Sequence, residues 1–162
     1  QEELDALDAA GIAYEVVPGI TAALAASAQI GVSLTRRGLC RNVAFVTPRI
    51  GEMERESDWA AAAVHADTAT IYMGAGEAEG ITATLIERGR KADTPVALVE
   101  SASLPDARAS YATLRDLPRL AAQSGSGPAI ILLGEVLREK LAAQLASATQ
   151  RKVEPLPNKR SA

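Results

Sequence analysis

The residues best placed to do chemistry in this chain are a set of small residues at predicted strand ends. Pro18-Gly19-Ile20-Thr21-Ala22-Ala23-Leu24-Ala25-Ala26-Ser27 follows a short apolar run, Ala13 to Val17, that reads as a strand. Pro18-Gly19 breaks that strand, and Ile20 to Gly31 reads as a helix that opens on the small side chains of Thr21, Ala22 and Ala23. The free N–H groups of such a helix start point out of the turn, with little to block access to them. Further small-residue breaks fall at Met73-Gly74, Ser101-Ala102 and Gly127-Pro128-Ala129. Ligands of open α/β sheets sit beyond the carboxyl ends of the strands, so these breaks leave room for a flat ligand against backbone groups. Ordinary loop chemistry accounts for the same residues, and on the residues alone both readings stay open.

The familiar catalytic sets are missing. His65 is the only histidine, in an alanine-rich stretch where a solvent-facing or capping role is expected. Cys40 is the only cysteine, which excludes an internal disulfide or a thiolate cluster and fits a reducing cytoplasm. There is no metal-ligand spacing, phosphate loop or dinucleotide fingerprint. Tyr72-Met73-Gly74-Ala75-Gly76 has the wrong spacing for a phosphate turn. The expectation is no metal and no catalytic residue assigned in this chain. With 17 basic against 20 acidic residues, net −3, no overall field draws nucleic acid or a membrane surface.

The elements that must position these breaks alternate along the chain. The 162 residues suit one ordinary domain, or one plus a piece of another. Aromatics are only 3 % of a chain that is 48 % apolar, so the core must be built from Ala, Val, Leu and Ile. Leu4, Leu7 and Ala10 share a helix face that Gly11 ends, and Tyr14–Val17 reads as a strand. Residues 31–38 read as a basic linker with a domain boundary near 34–38. Strands are expected over 42–47, 68–73, 94–100, 109–114 and 128–133. Helices are expected over 58–65, 77–88, 117–123 and 135–148, with Asp58 as an N-cap. The step from the third of these strands to the fourth has no crossover helix, which predicts an antiparallel pair and a mixed sheet. Arg151, Lys152, Lys159 and Arg160 lie in a tail that reads as disordered. No apolar run approaches the length of a membrane-spanning helix, and the opening does not read as a signal peptide. Gln1-Glu2-Glu3-Leu4 reads as the inside of a helix without a start methionine, so a piece of a longer protein is expected.

Several stretches carry a specific resemblance. Val16-Val17-Pro18-Gly19-Ile20-Thr21-Ala22-Ala23, Leu34-Thr35-Arg36-Arg37-Gly38-Leu39, Ala69-Thr70-Ile71-Tyr72-Met73-Gly74, Thr94-Pro95-Val96-Ala97-Leu98-Val99-Glu100, Ala112-Thr113-Leu114 and Pro128-Ala129-Ile130-Ile131 follow one another in family order and spacing. Residues 1 to about 138 resemble the C-terminal part of a uroporphyrinogen-III C-methyltransferase, of the tetrapyrrole (corrin/porphyrin) methylase superfamily. The resemblance implies an α/β fold: a mixed, mostly five-stranded sheet flanked by helices, preceded by a strand-helix remnant of an N-terminal domain. It implies residues 1–35 as the end of that domain and its linker, 36–150 as the C-terminal domain, and 151–162 as the tail. It also implies methyl transfer from S-adenosylmethionine to a tetrapyrrole, giving precorrin-2 for siroheme or cobalamin synthesis, by a cytoplasmic homodimer.

Carried over by position, the methyl-donor contacts would be Thr21, Ala22, Met73, Ala102 and Ala129. The family's acid and base lie in the N-terminal half, outside this chain. Half of a donor cleft is expected to bind the donor feebly or not at all and to catalyse little or nothing. The family often has Thr-His-Arg where this chain has Thr35-Arg36-Arg37, and Thr-Gly-His where it has Thr47-Pro48-Arg49. A tetrapyrrole rich in carboxylates suits guanidinium partners, so Arg36, Arg37, Arg49 and Arg108 are the candidate substrate contacts, with solvated surface arginines as the bland alternative. Another precorrin methyltransferase, or a non-catalytic ligand-binding or dimerisation module, is the competing reading. On that view residues 1–34 leave an apolar helix with no sheet to cover it.

Overall fold

The computed structural model of the chain describes residues 1–51 and 57–153. Five strands make one sheet: β1 (Val43–Val46), β2 (Thr68–Tyr72), β3 (Pro95–Glu100), β4 (Arg108–Thr113) and β5 (Ala129–Gly134). Their order is β1-β2-β5-β3-β4. Only β1 and β2 are parallel, joined through α3 (Trp59–His65), the kind of crossover a parallel pair requires. β3 turns straight back into β4, and β5 runs antiparallel between β2 and β3. The mixed five-stranded sheet expected from the sequence is therefore present.

Helices cover both faces, which is why the central strands are apolar at successive positions. On one face α3, α4 (Ala78–Glu87) and α5 (Leu117–Ala121) enclose Ile71, Ile81, Leu85, Leu98, Leu114, Ile131 and Leu133. On the other, α2 (Ala22–Ile30) and the turn Glu135–Leu137 that leads into α6 (Arg138–Val153) cover Ala97, Val99, Ile130 and Leu132. β5 feeds both cores by alternation, and each of its buried Leu and Ile side chains contributes about 1.5–3 kcal/mol. A first helix, α1 (Glu2–Ala9), buries none of its residues. No helix among the described residues is long and apolar enough to cross a membrane.

Polar groups close the ends of these elements. Asp58 caps α3 as expected, its carboxylate accepting the Ala61 N–H at 3.2 Å. At the other end Arg90 donates to the carbonyls of Val64 (3.2 Å), Ala66 (2.5 Å) and Asp67 (3.2 Å), replacing partners that a helix C-terminus lacks. Burial pulls the Arg90 pKa below the ordinary arginine value. Asp67 and Asn42 lock the starts of β2 and β1. The Asp67 carboxylate accepts the N–H of Arg41 (2.7 Å) and of Asn42 (3.3 Å), and Asn42 Oδ1 accepts the Asp67 N–H (2.6 Å). Those backbone donors hold the Asp67 pKa below the usual aspartate value.

Three expectations change. Tyr14–Val17 is not a strand: it is irregular, and Val16 and Val17 are 65 % and 77 % exposed. A strand needs a ladder partner, and none of the described residues supplies one. The second helix opens at Ala22, not Ile20, and it is not left uncovered. Ala23, Ala26 and Ile30 are buried with Leu132 and Leu137, because two alanines on one face let the helix lie close to the sheet. The last helix runs on to Val153, so the tail expected from residue 151 begins as helix. Its remainder, 154–162, lies outside the described residues.

Two outcomes follow. Gly134 has φ +153°, and a Cβ there would lie 2.7 Å from the Asp67 carbonyl oxygen. Gly134→Ala should therefore cost about 2–3 kcal/mol, read from its urea midpoint. Asp67 binds protons more weakly folded than unfolded, so its stabilisation is present above about pH 4 and is lost as pH falls through the depressed folded value. The stability of Asp67→Asn, followed against pH, should show a shallower acid decline than that of the natural chain.

Candidate functional site

The candidate site is a cleft of about 450 Å³ at one edge of the sheet, lined by Ala22, Tyr72, Met73, Val99, Ala102, Pro128, Ala129 and Ile130. Strand direction explains the convergence. β2 and β3 bring their carboxyl ends to this edge, while antiparallel β5 brings its first residues to the same place. The start of α2 adds Ala22 from above the second core. Four of the five residues predicted as donor contacts thus share one cleft. The fifth, Thr21, is one residue away, and its hydroxyl is hydrogen-bonded to the Tyr72 hydroxyl.

The walls are small or apolar, and the backbone at the strand ends is unusual. Met73 and Ser101 have φ of 53° and 51°, left-handed values that cost non-glycine residues about 1–3 kcal/mol each. Each lies one residue past the end of its strand. After Met73 the chain must also thread between buried side chains. A Cβ on Gly74 would lie 2.8 Å from Ile81 Cδ1 and 3.0 Å from Ile71 Cγ2, so glycine is there for space. Met73 itself is 57 % exposed, a poor core residue with its side chain free to meet a ligand.

The rim beyond β3 and β5 is held by a buried carboxylate. Glu100 Oε1 accepts the Gly125 N–H at 2.7 Å and Arg108 Nη2–H at 2.8 Å. The Ser101 N–H donates to the Pro128 carbonyl at 2.8 Å, and Ser101 Oγ to Asp106 at 3.2 Å. Together these bonds tie the 101–107 and 124–128 loops around Ala102 and Ala129.

The four predicted substrate arginines are not brought together. Arg108 begins β4 at the cleft edge, but its guanidinium is engaged by Glu100. Arg49 is exposed and follows the carboxyl end of β1, also at that edge. Arg36 forms an ion pair with Glu139 at 2.8 Å, beside the start of α6 and hence at the opposite edge, and Arg37 is exposed next to it. The Glu139 pair raises the Arg36 pKa. His65 ends α3, exposed, far from the cleft edge along β2. Among the described residues no group of His, Cys, Asp and Glu could hold a metal ion.

Tyr72, Val99, Ile130 and Glu100 were not singled out as site residues from sequence. Tyr72 and Glu100 end their strands beside Met73 and Ser101, and Val99 pairs with Ile130 in register. Strand pairing is the signal that finds them, and it is not local in sequence.

A mixed α/β sheet with an apolar cleft across its strand ends defines the class: an α/β domain of the kind that carries ligand sites at its strand ends. The model of the tetrapyrrole (corrin/porphyrin) methylases matches residues 1–118, and the chain belongs to that family. It is 44 % identical over 135 residues to siroheme synthases of Tolumonas auensis and Zymomonas mobilis, covering 83 % of this chain but 29 % and 28 % of theirs. Among solved structures it is similar to the uroporphyrin III C-methyl transferase of Thermus thermophilus, with TM-score 0.73 and 33 % identity over 85 % of this chain and 57 % of that one. A complex of a Thermus thermophilus uroporphyrin-III C-methyl transferase with S-adenyl homocysteine gives TM-score 0.71 and 34 % identity, covering 85 % of this chain and 59 % of that one. The chain thus spans under a third of those curated relatives and under two thirds of those enzymes.

The Glu100 contacts set an order of effects. Glu100 has a side chain 10 % exposed and Arg108 one 61 % exposed. Glu100→Ala should cost about 1–3 kcal/mol, because it removes the Gly125 and Arg108 hydrogen bonds together, and Arg108→Ala about 1 kcal/mol or less, because Glu100 keeps the Gly125 N–H. Urea unfolding of the two variants checks the order.

Proposed function

We propose that the chain is the C-terminal portion of an S-adenosylmethionine-dependent uroporphyrinogen-III C-methyltransferase that makes precorrin-2 for siroheme or cobalamin synthesis. The observation that carries the reading is the cleft itself, in which Ala22, Met73, Ala102 and Ala129 converge from separate elements. Its walls fit the donor. A space of about 450 Å³ is within the range of small-molecule sites, and small side chains admit a flat adenosyl group against apolar surface. Bound there, S-adenosylmethionine supplies an activated methyl group.

What remains for the protein is alignment and exclusion of water. Val99, Pro128 and Ile130 give an apolar floor, Met73 a flexible thioether, and Ala22 a further wall with Thr21 beside it. Arg49 and Arg108, at the same edge, are the arginines nearest to a role with substrate carboxylates. Arg36 and Arg37 would serve a substrate only from farther off. Residues 1–35 belong, on this reading, to the end of an N-terminal domain whose remainder completes the cleft, and 36–150 to the C-terminal domain. The active form is a homodimer in the cytoplasm. Exposed Ile12, Val16, Val17 and Ile20 offer apolar surface for completing partners, and the single buried Cys40 suits a reducing compartment.

Titration of the isotope-labelled chain with S-adenosylhomocysteine, followed by NMR, tests the reading. Weak binding is expected, with amide shifts concentrated at Ala22, Met73, Ala102 and Ala129. Shifts confined to another surface, or micromolar affinity in the monomeric chain, would overturn it.

A further inference from the structure

We propose that Tyr72 is a positioning residue for the cleft: its phenolic oxygen caps α2 from outside the helix and so sets the separation of the Thr21–Ala22 turn from the end of β2. The inference rests on the reading of the cleft as the methyl-donor site and adds a residue to it.

The helix lacks its own cap. Thr21 has the extended backbone (φ −69°, ψ 151°) from which an N-cap hydroxyl ordinarily accepts an N–H of the first turn, yet its side chain makes no such bond. The Leu24 and Ala25 N–H groups reach the Thr21 carbonyl. The Ala23 N–H, which the helix cannot satisfy, donates instead to the Tyr72 hydroxyl at 3.2 Å. The same hydroxyl holds Thr21 Oγ1, drawing away the side chain that would otherwise cap the helix in place. One phenol therefore replaces the local cap and engages both sides of the turn.

The arm that presents this phenol is stiff. Tyr72 is the last residue of β2, opposite Ile130, and its ring packs on the second core with Phe45 at a centroid distance of 6.3 Å. The next residue, Met73, is in the left-handed region and lines the cleft opposite Ala22. The rest of α2 is attached independently, through buried Ala23, Ala26 and Ile30. Removing the hydroxyl should therefore release the turn while leaving the helix on the sheet. A residue needed only for folding would not separate the two.

Tyr72→Phe alone leaves Thr21 Oγ1 free to rotate and cap α2 itself, so the double variant Tyr72→Phe/Thr21→Ala closes that escape. Amide hydrogen exchange of the full chain is the first readout. In the double variant the Ala23 amide should exchange about tenfold faster, the factor of a lost helix cap, with a smaller change in Tyr72→Phe and none at Leu98 or Ile131. Unaltered Ala23 exchange in the double variant would overturn the cap. The second readout is S-adenosylhomocysteine titration by NMR of Tyr72→Phe, in which apparent affinity should fall about fivefold at an unchanged urea midpoint. Faster exchange with full ligand affinity would overturn the positioning role. If the natural chain itself shows no response to the ligand, the positioning role in this chain fails, while the exchange data still decide the cap.

Discussion

The antiparallel insertion of β5 between β2 and β3 is the constraint on which the rest of the structure depends. Ala129–Gly134 is paired along both edges and covered on both faces, so its side chains alternate into two separate cores. Its direction also builds the cleft. A parallel strand in the same slot would bring Gly134, where the backbones of β5 and β2 crowd together, to the edge where Tyr72 and Glu100 end. Running antiparallel, it brings Pro128 and Ala129 there instead. The close approach at the far end demands glycine, and the open end tolerates small residues around a ligand-sized space.

Among the described residues, the cleft is lined by no arrangement of acids, bases and nucleophiles. Its polar groups act on the backbone: Glu100 on the Gly125 N–H, Ser101 on the Pro128 carbonyl, Tyr72 on the start of α2. Two residues in left-handed conformation sit at the same strand ends, and such strain persists only where surrounding contacts over-determine it. On the proposed reading of the cleft, such a design leaves the residues of this chain to align the ligand. The separation of the arginines fits the same division. Arg36 fastens the segment before β1 to α6 through Glu139, a task remote from the cleft.

The number and kind of elements were legible in the sequence because each is locally encoded. Asp58 ahead of an alanine run predicts the start of α3, Gly89 the stop after α4, and short β-branched runs predict the strands. The loop between Glu100 and Arg108 is too poor in helix signals for a crossover, so the antiparallel β3–β4 pair was also readable. Tyr14–Val17 shows the limit of the same logic. Its β-branched pattern is real, but a strand exists only as one side of a ladder, and the ladder is a property of the assembly.

By itself, then, the sequence determined the elements, the mixed character of the sheet and the small residues that line the cleft, because propensity, capping and turn chemistry act over a few neighbouring residues. Only the tertiary structure decided that β5 lies between β2 and β3, that α2 packs on this sheet through Ala23 and Ala26, and that Arg36 and Arg108 face opposite edges. It alone joined Tyr72 to Ala23, residues far apart in the chain. Contacts of that kind depend on strand order and direction, and these follow from how two apolar faces are buried at once. No local pattern contains that information.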